Sequence, residues 1–169
     1  MVLMTSRTTE RQPTAEPPGP TGLAEAVNRC RQSRPFLDGL AALYAEVDRA
    51  VAQTGARCMG GGMCCKFDLA GVRLYLTAGE LAALSGEPPP NTRAVLAGRC
   101  PYQAGPRCAA RIVRPLGCRI FFCGPATGEE LTDVYELFHR RLCELHQTHC
   151  LPYAYVDAMV AFLQLFSRK

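Results

Sequence analysis

Seven cysteines fall in two stretches that carry almost no other ordering signal. Cys58, Cys64 and Cys65 lie in GARCMGGGMCCKFDLAG, and Cys100, Cys108, Cys118 and Cys123 lie in the irregular run from residue 93 to 125. Thiolates hold soft and borderline metals, and metal–sulfur bonds supply to a loop the order that a backbone ladder would otherwise give. Gly60, Gly61 and Gly62 allow the first loop to turn tightly, with φ above zero where the turn requires it. Cys64 and Cys65 are neighbours, and a disulfide between them would be strained. As ligands they can serve one centre from two directions, or one can ligate while the other packs. Any one of these cysteines taken alone could be a buried apolar side chain or half of a disulfide. For seven together in Gly- and Pro-rich loops, metal is the expected partner.

Spacing narrows the metal less than the site. The steps C-x5-C-C, C-x7-C and C-x9-C-x4-C match neither the paired CxxC of zinc fingers nor a ferredoxin run. Seven thiols exceed the four needed by one zinc or one 4Fe-4S cluster, which leaves spare thiols, two sites or a polynuclear zinc site open. Arg93, Arg99, Arg107, Arg111, Arg114 and Arg119 gather between residues 93 and 119 with no acidic residue among them. Guanidinium groups placed there would neutralise thiolate charge and lower thiol pKa values; the alternative is an ordinary solvated basic face. Cys30 stands at the edge of the N-terminal tail, and Cys143 and Cys150, seven apart, are expected to pack rather than ligate. His139 and Cys143 stand four apart on one helix face and could share a metal or a partner, but His139, His146 and His149 are expected to be surface or hydrogen-bonded histidines.

The segments CMGGGMCCKF, GRCPYQAGPRC and RIVRPLGCRIFFC resemble the zinc/iron-chelating cysteine-cluster family (YkgJ type, with a CxxxCC-like domain). On that resemblance Cys58, Cys64 and Cys65 match the opening cluster and Cys100–Pro101 the CP element. Cys108 precedes Arg114–Pro115, Cys118–Arg119 with Phe121 match the C-R-x-F ending, and Cys123 matches an extra terminal cysteine. The chain departs in having no cysteine between Met59 and Met63 and in reading AARIV where a tyrosine is often present. The resemblance implies a metal-binding domain without a defined reaction. A similar cluster occurs in flagellin lysine methylases, but no S-adenosylmethionine-type glycine loop and no CX3CX2C spacing accompany it here, so methylation is not carried over.

The elements that must position these loops follow from periodicity. Residues 1–33, opening with four prolines in TSRTTERQPTAEPPGPTG, are expected to be a flexible Pro-rich tail, and residues 34–169 a single cysteine-cluster metal-binding domain. Phe36, Leu40, Leu43, Val47 and Val51 recur at helical steps, with Pro35 tolerated in the first turn. VRLYL, residues 72–76, reads as a short strand. Thr77 and Glu80 form a capping box ahead of a helix that stops near Gly86. Thr127 and Glu130 offer a second box before the longest helix, residues 129–148, whose apolar face is Leu131, Val134, Leu137, Phe138, Leu142 and Leu145. YVDAMVAFLQLF, after Pro152, reads as a final helix. The fold expected is mainly α, a small helical domain of three or four helices organised around two irregular cysteine-rich metal-binding loops, with at most a short strand pair.

Composition bounds what such a domain does. With 48% hydrophobic and 20% charged residues, the 169-residue chain can bury one core and is not disordered as a whole. Its 19 basic and 15 acidic side chains give a formal charge of +4, too mild to argue for nucleic acid. No run of 18 apolar residues exists, so no membrane span is expected, and the polar start argues against a secretion signal. A cytoplasmic, reducing location is therefore expected, where thiols hold metal more often than they pair.

The leading expectation is a metal-cluster-binding protein that holds an iron–sulfur cluster, a 4Fe-4S unit first, or zinc. Cys58, Cys64, Cys65 and Cys118 are the first-choice ligands, with Cys100, Cys108 and Cys123 as alternates or second-site ligands. Such a centre would serve electron transfer or metal and redox sensing, with a redox or client protein as partner, and Arg119 and Phe121–Phe122 would tune its charge and exclude solvent. The alternatives are a metal-dependent enzyme with an open iron position, using Asp68, Tyr75, His139 or His146, and a zinc-stabilised nucleic-acid or protein interaction module that uses Tyr102, Phe121 and Phe122. Substrate and oligomeric state are left open.

Overall fold

A computed structural model describes residues 20–58, 60–121 and 128–166. The first element is already a departure. α1, Pro20–Gln32, is a helix whose Leu23, Ala26, Val27 and Cys30 are buried. The expectation of a flexible tail reaching residue 33 is therefore overturned from residue 20 onward; residues 1–19 lie outside the described residues. Leu23 to Cys30 repeat at steps of three, one and three, a stripe on one helix face that the preceding proline-rich composition concealed.

α2, Arg34–Gln53, starts with proline in its first turn and buries Phe36, Leu40, Leu43, Tyr44, Val47 and Val51, the periodic set expected with Tyr44 added. It packs against α6, Gly128–Thr148. There Leu131, Phe138 and Leu142 are buried, but Leu137, assigned to the same face from sequence, is 49% exposed. Thr127, the proposed cap of α6, lies outside the described residues.

A 3-10 turn, Met63–Cys65, and a short helix α3, Phe67–Ala70, follow the glycine loop. β1, Tyr75–Thr77, then leads into α4, Ala78–Leu84, with the Thr77–Glu80 capping box present as expected. The Thr77 hydroxyl accepts from the Glu80 amide at 3.2 Å, and the Glu80 carboxylate accepts from the Thr77 amide at 2.8 Å. Glu80 does more than cap. It is 2% exposed, and its second oxygen accepts from the Leu116 amide at 2.7 Å and from the Tyr44 hydroxyl at 3.4 Å. One buried carboxylate thus ties α4 to α2 and to the second cysteine segment. Burial raises its pKa, opposed by these donors.

The run from residue 93 to 125 is less irregular than expected. It contains a 3-10 stretch, Thr92–Ala97, a tight hairpin of β2, Gln103–Ala104, with β3, Arg107–Cys108, and a short helix α5, Leu116–Ile120. Elements this short give weak periodicity, so tertiary bonds hold them. The Tyr102 hydroxyl, 1% exposed, donates to the Leu84 carbonyl at 2.8 Å and pins the hairpin on α4.

The last segment also differs. Tyr155–Asp157 is a strand, β4, antiparallel to β1 with Leu76 opposite Val156, and α7 begins only at Ala158 and runs to Phe166. Asp157 accepts from the Met159 and Val160 amides, so the residue read as helix interior is the helix cap. Pairing with a strand some eighty residues away overrode the local pattern. The result is mainly helical, with strands confined to two short antiparallel pairs. Cys30, placed by the sequence at the edge of the tail, is fully buried in α1, and Cys150, at φ 50° after α6, is exposed rather than packed. Among the described residues no helix is long and apolar enough to cross a membrane.

Candidate functional site

Six of the seven loop cysteines line one cavity of about 500 Å³. Cys58 comes from the loop after α2, Cys64 and Cys65 from the 3-10 turn, Cys100 from the approach to the hairpin, Cys108 from β3 and Cys118 from α5. The seventh, Cys123, lies outside the described residues. The apolar side chains of Leu74, Leu84, Tyr102 and Phe162 and the arginines Arg107, Arg111 and Arg114 also line the cavity. Among the described residues no carboxylate lines it.

Two backbone devices bring the segments together. The first is Gly62, at φ +67°, which packs so closely on the hairpin turn that a Cβ would stand 3.2 Å from the Pro106 carbonyl and 2.9 Å from the Gln103 amide nitrogen. Gln103 in turn donates from Nε2 to the Gly62 carbonyl at 3.3 Å. Only glycine combines this left-handed φ with this approach at little cost. The second is an antiparallel bridge, Lys66 opposite Arg99, next to which the Cys100 amide donates to the Cys65 carbonyl at 2.8 Å.

The thiols influence one another. Contact with Cys65 raises the Cys64 thiol above the usual range, with burial adding to it. Cys65 is pushed up to about 12, chiefly by Cys100. Burial raises Cys108 and Cys118, and Arg114 opposes the rise at Cys64, Cys108 and Cys118. Burial removes water that would solvate a thiolate, and each neighbouring thiolate would add like charge, so these thiols are held protonated. Cys118 is enclosed by protein yet open to the cavity, which leaves it partly accessible. The described cysteines are free thiols, with Cys58 the exposed member of the six.

The arginines divide in a way the sequence does not foretell. Arg114 lines the cavity with the thiols and opposes the rise of the Cys118 pKa. Arg119, expected to tune the charge of the centre, is 4% exposed and turned the other way. Its Nε donates to the Arg114 carbonyl at 2.6 Å, one Nη to the Ile112 carbonyl and the other to Asp48 at 2.6 Å, while its plane lies 4.2 Å from the centre of the Tyr44 ring. It is a clamp that fastens residues 112–119, and with them Cys118, onto α2. Arg99 pairs instead with Asp68, at 3.8 Å.

The accessory residues considered for catalysis do not reach the cavity. Asp68 is taken by Arg99, and Tyr75 stacks on Tyr155. His139 stacks on Tyr135, and its Nε2 lies 2.9 Å from the Tyr153 hydroxyl. His146 is fully buried between Phe36 and Tyr153, and burial lowers its pKa to about 4, opposed by the backbone of Pro152 and Leu151. Tyr102 is committed to the core rather than free to stack on a base. Phe121 is 41% exposed, and Phe122 lies outside the described residues. Sequence reasoning missed Glu80 as a hub and Arg119 as a clamp. The capping box marked Glu80, but nothing local marks the amide of Leu116 as its further donor.

The donor set has the chemistry of a soft-metal site, with several thiols, a cation close by and, among the described residues, no carboxylate. The donors are nevertheless not drawn together: among the described residues no group of three or more His, Cys, Asp or Glu side chains is placed to hold a metal ion. No family model, no curated protein and no solved structure matches the chain.

Proposed function

We propose that the chain binds a metal centre, an iron–sulfur cluster or zinc, through thiolates of this cavity, in the service of electron transfer or of metal or redox sensing. The observation that carries the reading is the convergence of six cysteines from distant segments on one cavity that holds arginine and, among the described residues, no carboxylate. Of the first-choice ligands, Cys64, Cys65 and Cys118 stand on ordered turns or a helix, and Cys58 joins them from the exposed edge of the glycine loop. Cys100 and Cys108 are further donors that line the same cavity. A bound centre would supply charge to be balanced by Arg114 and would hold the loops against the helices. Loading a thiol as thiolate releases its proton, and the side chains must turn inward to meet one ion. The resemblance to cysteine-cluster proteins belongs to this proposal as well.

The test is anaerobic purification without added metal, followed by iron, zinc and acid-labile sulfide analysis beside a visible spectrum. Matching iron and sulfide with a broad visible band identifies a cluster; zinc without sulfide identifies a zinc site. The combined Cys58, Cys64, Cys65 and Cys118 to serine variant should lose the metal while Cys150→Ser retains it, with circular dichroism to check the fold. Metal-free wild-type protein that takes up neither iron nor zinc overturns the reading.

The cavity itself favours a second reading, in which one metal position is open to a small ligand. About 500 Å³ falls in the range of small-molecule pockets, roughly 300–1,000 Å³, and apolar walls with a few charged groups are typical of them. Acetate or phosphate should then perturb the spectrum of the loaded protein; an unchanged spectrum excludes this reading and leaves the first intact.

A further inference from the structure

We infer that Cys65 and Cys100 form a reversible disulfide when the chain is oxidised, an alternative state of the thiol cluster that competes with metal. The inference extends the redox-sensing half of the functional proposal, but it rests on backbone pairing and not on a metal being bound.

The isolated antiparallel bridge between Lys66 and Arg99 brings Cys65, at the end of the 3-10 turn, beside Cys100, whose amide donates to the Cys65 carbonyl at 2.8 Å. Residues opposite one another across an antiparallel pair have Cα atoms about 4.5–5.5 Å apart, inside the roughly 4.4–6.8 Å that disulfides span. The two side chains already interact. Both are free thiols, 8% exposed, and both open onto the cavity, which gives a small reagent access to them. Cys64 also interacts with Cys65, but as its chain neighbour it could pair only with strain. Cys108 sits opposite Gln103 in its hairpin, so backbone pairing gives it no cysteine partner.

A low-molecular-weight disulfide such as oxidised glutathione supplies the oxidant. The thiolate of one cysteine attacks it, forming a mixed disulfide and releasing one glutathione thiolate. The second cysteine then attacks the mixed disulfide, forming the Cys65–Cys100 bond and releasing the second glutathione. The two cysteine protons end on the two glutathione thiols, the protein gives up two electrons, and the glutathione disulfide is reduced. Closure removes two of the six cavity donors and covalently joins the 3-10 turn to the hairpin, so the oxidised chain holds metal less well.

The experiment treats metal-free, reduced chain with oxidised glutathione over a long incubation, blocks residual thiols with iodoacetamide and maps peptides without reduction. Tryptic cleavage after Arg57, Lys66, Arg99 and Arg107 leaves Cys58, Cys64 and Cys65 in one peptide and Cys100 in another. These two peptides should be found linked, and dithiothreitol should release them. The link should persist in the Cys58→Ser/Cys64→Ser double variant and vanish in Cys65→Ser and in Cys100→Ser. A link that survives Cys65→Ser, a different pairing in the wild type, or glutathione adducts without any internal bond overturns the inference. Zinc uptake by the reduced chain is measured in parallel. Bond formation without zinc uptake sinks the zinc form of the metal reading alone, and zinc uptake without bond formation sinks this inference alone.

Discussion

Replacing Arg119 with lysine keeps the positive charge beside the cysteine segment and removes the planar fork. The wild-type guanidinium satisfies two backbone carbonyls, those of Arg114 and Ile112, and lies against Tyr44. Hydrogen bonds from a charged donor contribute about 1.5–3 kcal/mol each, the two here being part-buried, and the contact with the ring adds about 0.5–2 kcal/mol. The third arm, to Asp48, ends on a carboxylate that is 58% exposed, so water screens it and it contributes about 1 kcal/mol or less. An ammonium group can hold one of these partners. The expected loss for Arg119→Lys is therefore about 3–5 kcal/mol, read from urea unfolding of the reduced, metal-free chain by circular dichroism. The comparison separates two roles for this arginine. If it only supplied charge to the thiols, lysine would serve; if it clamps residues 112–119 to α2, lysine fails. A variant within about 1 kcal/mol of wild type refutes the clamp.

Three further outcomes are expected. His146 is buried with its pKa lowered from 6.5 to about 4, so the folded chain refuses a proton that the unfolded chain accepts between those values. Its contribution is intact above pH 6.5 and falls by about 3 kcal/mol as the pH drops towards 4; His146→Leu should lack this slope in denaturant titrations at several pH values, and parallel slopes in the two proteins would rule out the effect. Gly62→Ala places a Cβ at φ +67° against the Pro106 backbone, so it should cost about 1–2 kcal/mol for the left-handed backbone alone and lower metal content by loosening loop from hairpin. Urea midpoints and metal analysis check this, and an unaltered midpoint contradicts it. Glu80→Ala strips the Leu116 amide and the Tyr44 hydroxyl of their acceptor in a buried setting and should cost about 3 kcal/mol or more. An exposed-site effect of about 0.5 kcal/mol would show that Glu80 is no hub.

The parts legible in the sequence are those governed by neighbours in the chain. The α2 stripe from Phe36 to Val51 and the Thr77–Glu80 box depend on spacings of three and four, and both stand as read. The tail failed at residue 20 because four prolines dominated its composition while the helical stripe from Leu23 to Cys30 is brief. Tyr155–Asp157 failed for the opposite reason: it continues an apolar run that suits a helix, and only β1, far away in the chain, makes it a strand.

The same division holds for the candidate site. Sequence alone singled out the residues on which the proposal rests, since thiols in glycine-rich loops are recognisable by type and composition, and the six of the seven that are described line one cavity. Tertiary structure decided how they meet: Cys65 beside Cys100 through the bridge at Lys66 and Arg99, Arg114 lining the cavity with the thiols and Arg119 turned away from them. Residue type sets what a side chain can bind. Where it points depends on carbonyls, rings and amides brought in from distant segments, and those partners exist only once the chain has folded.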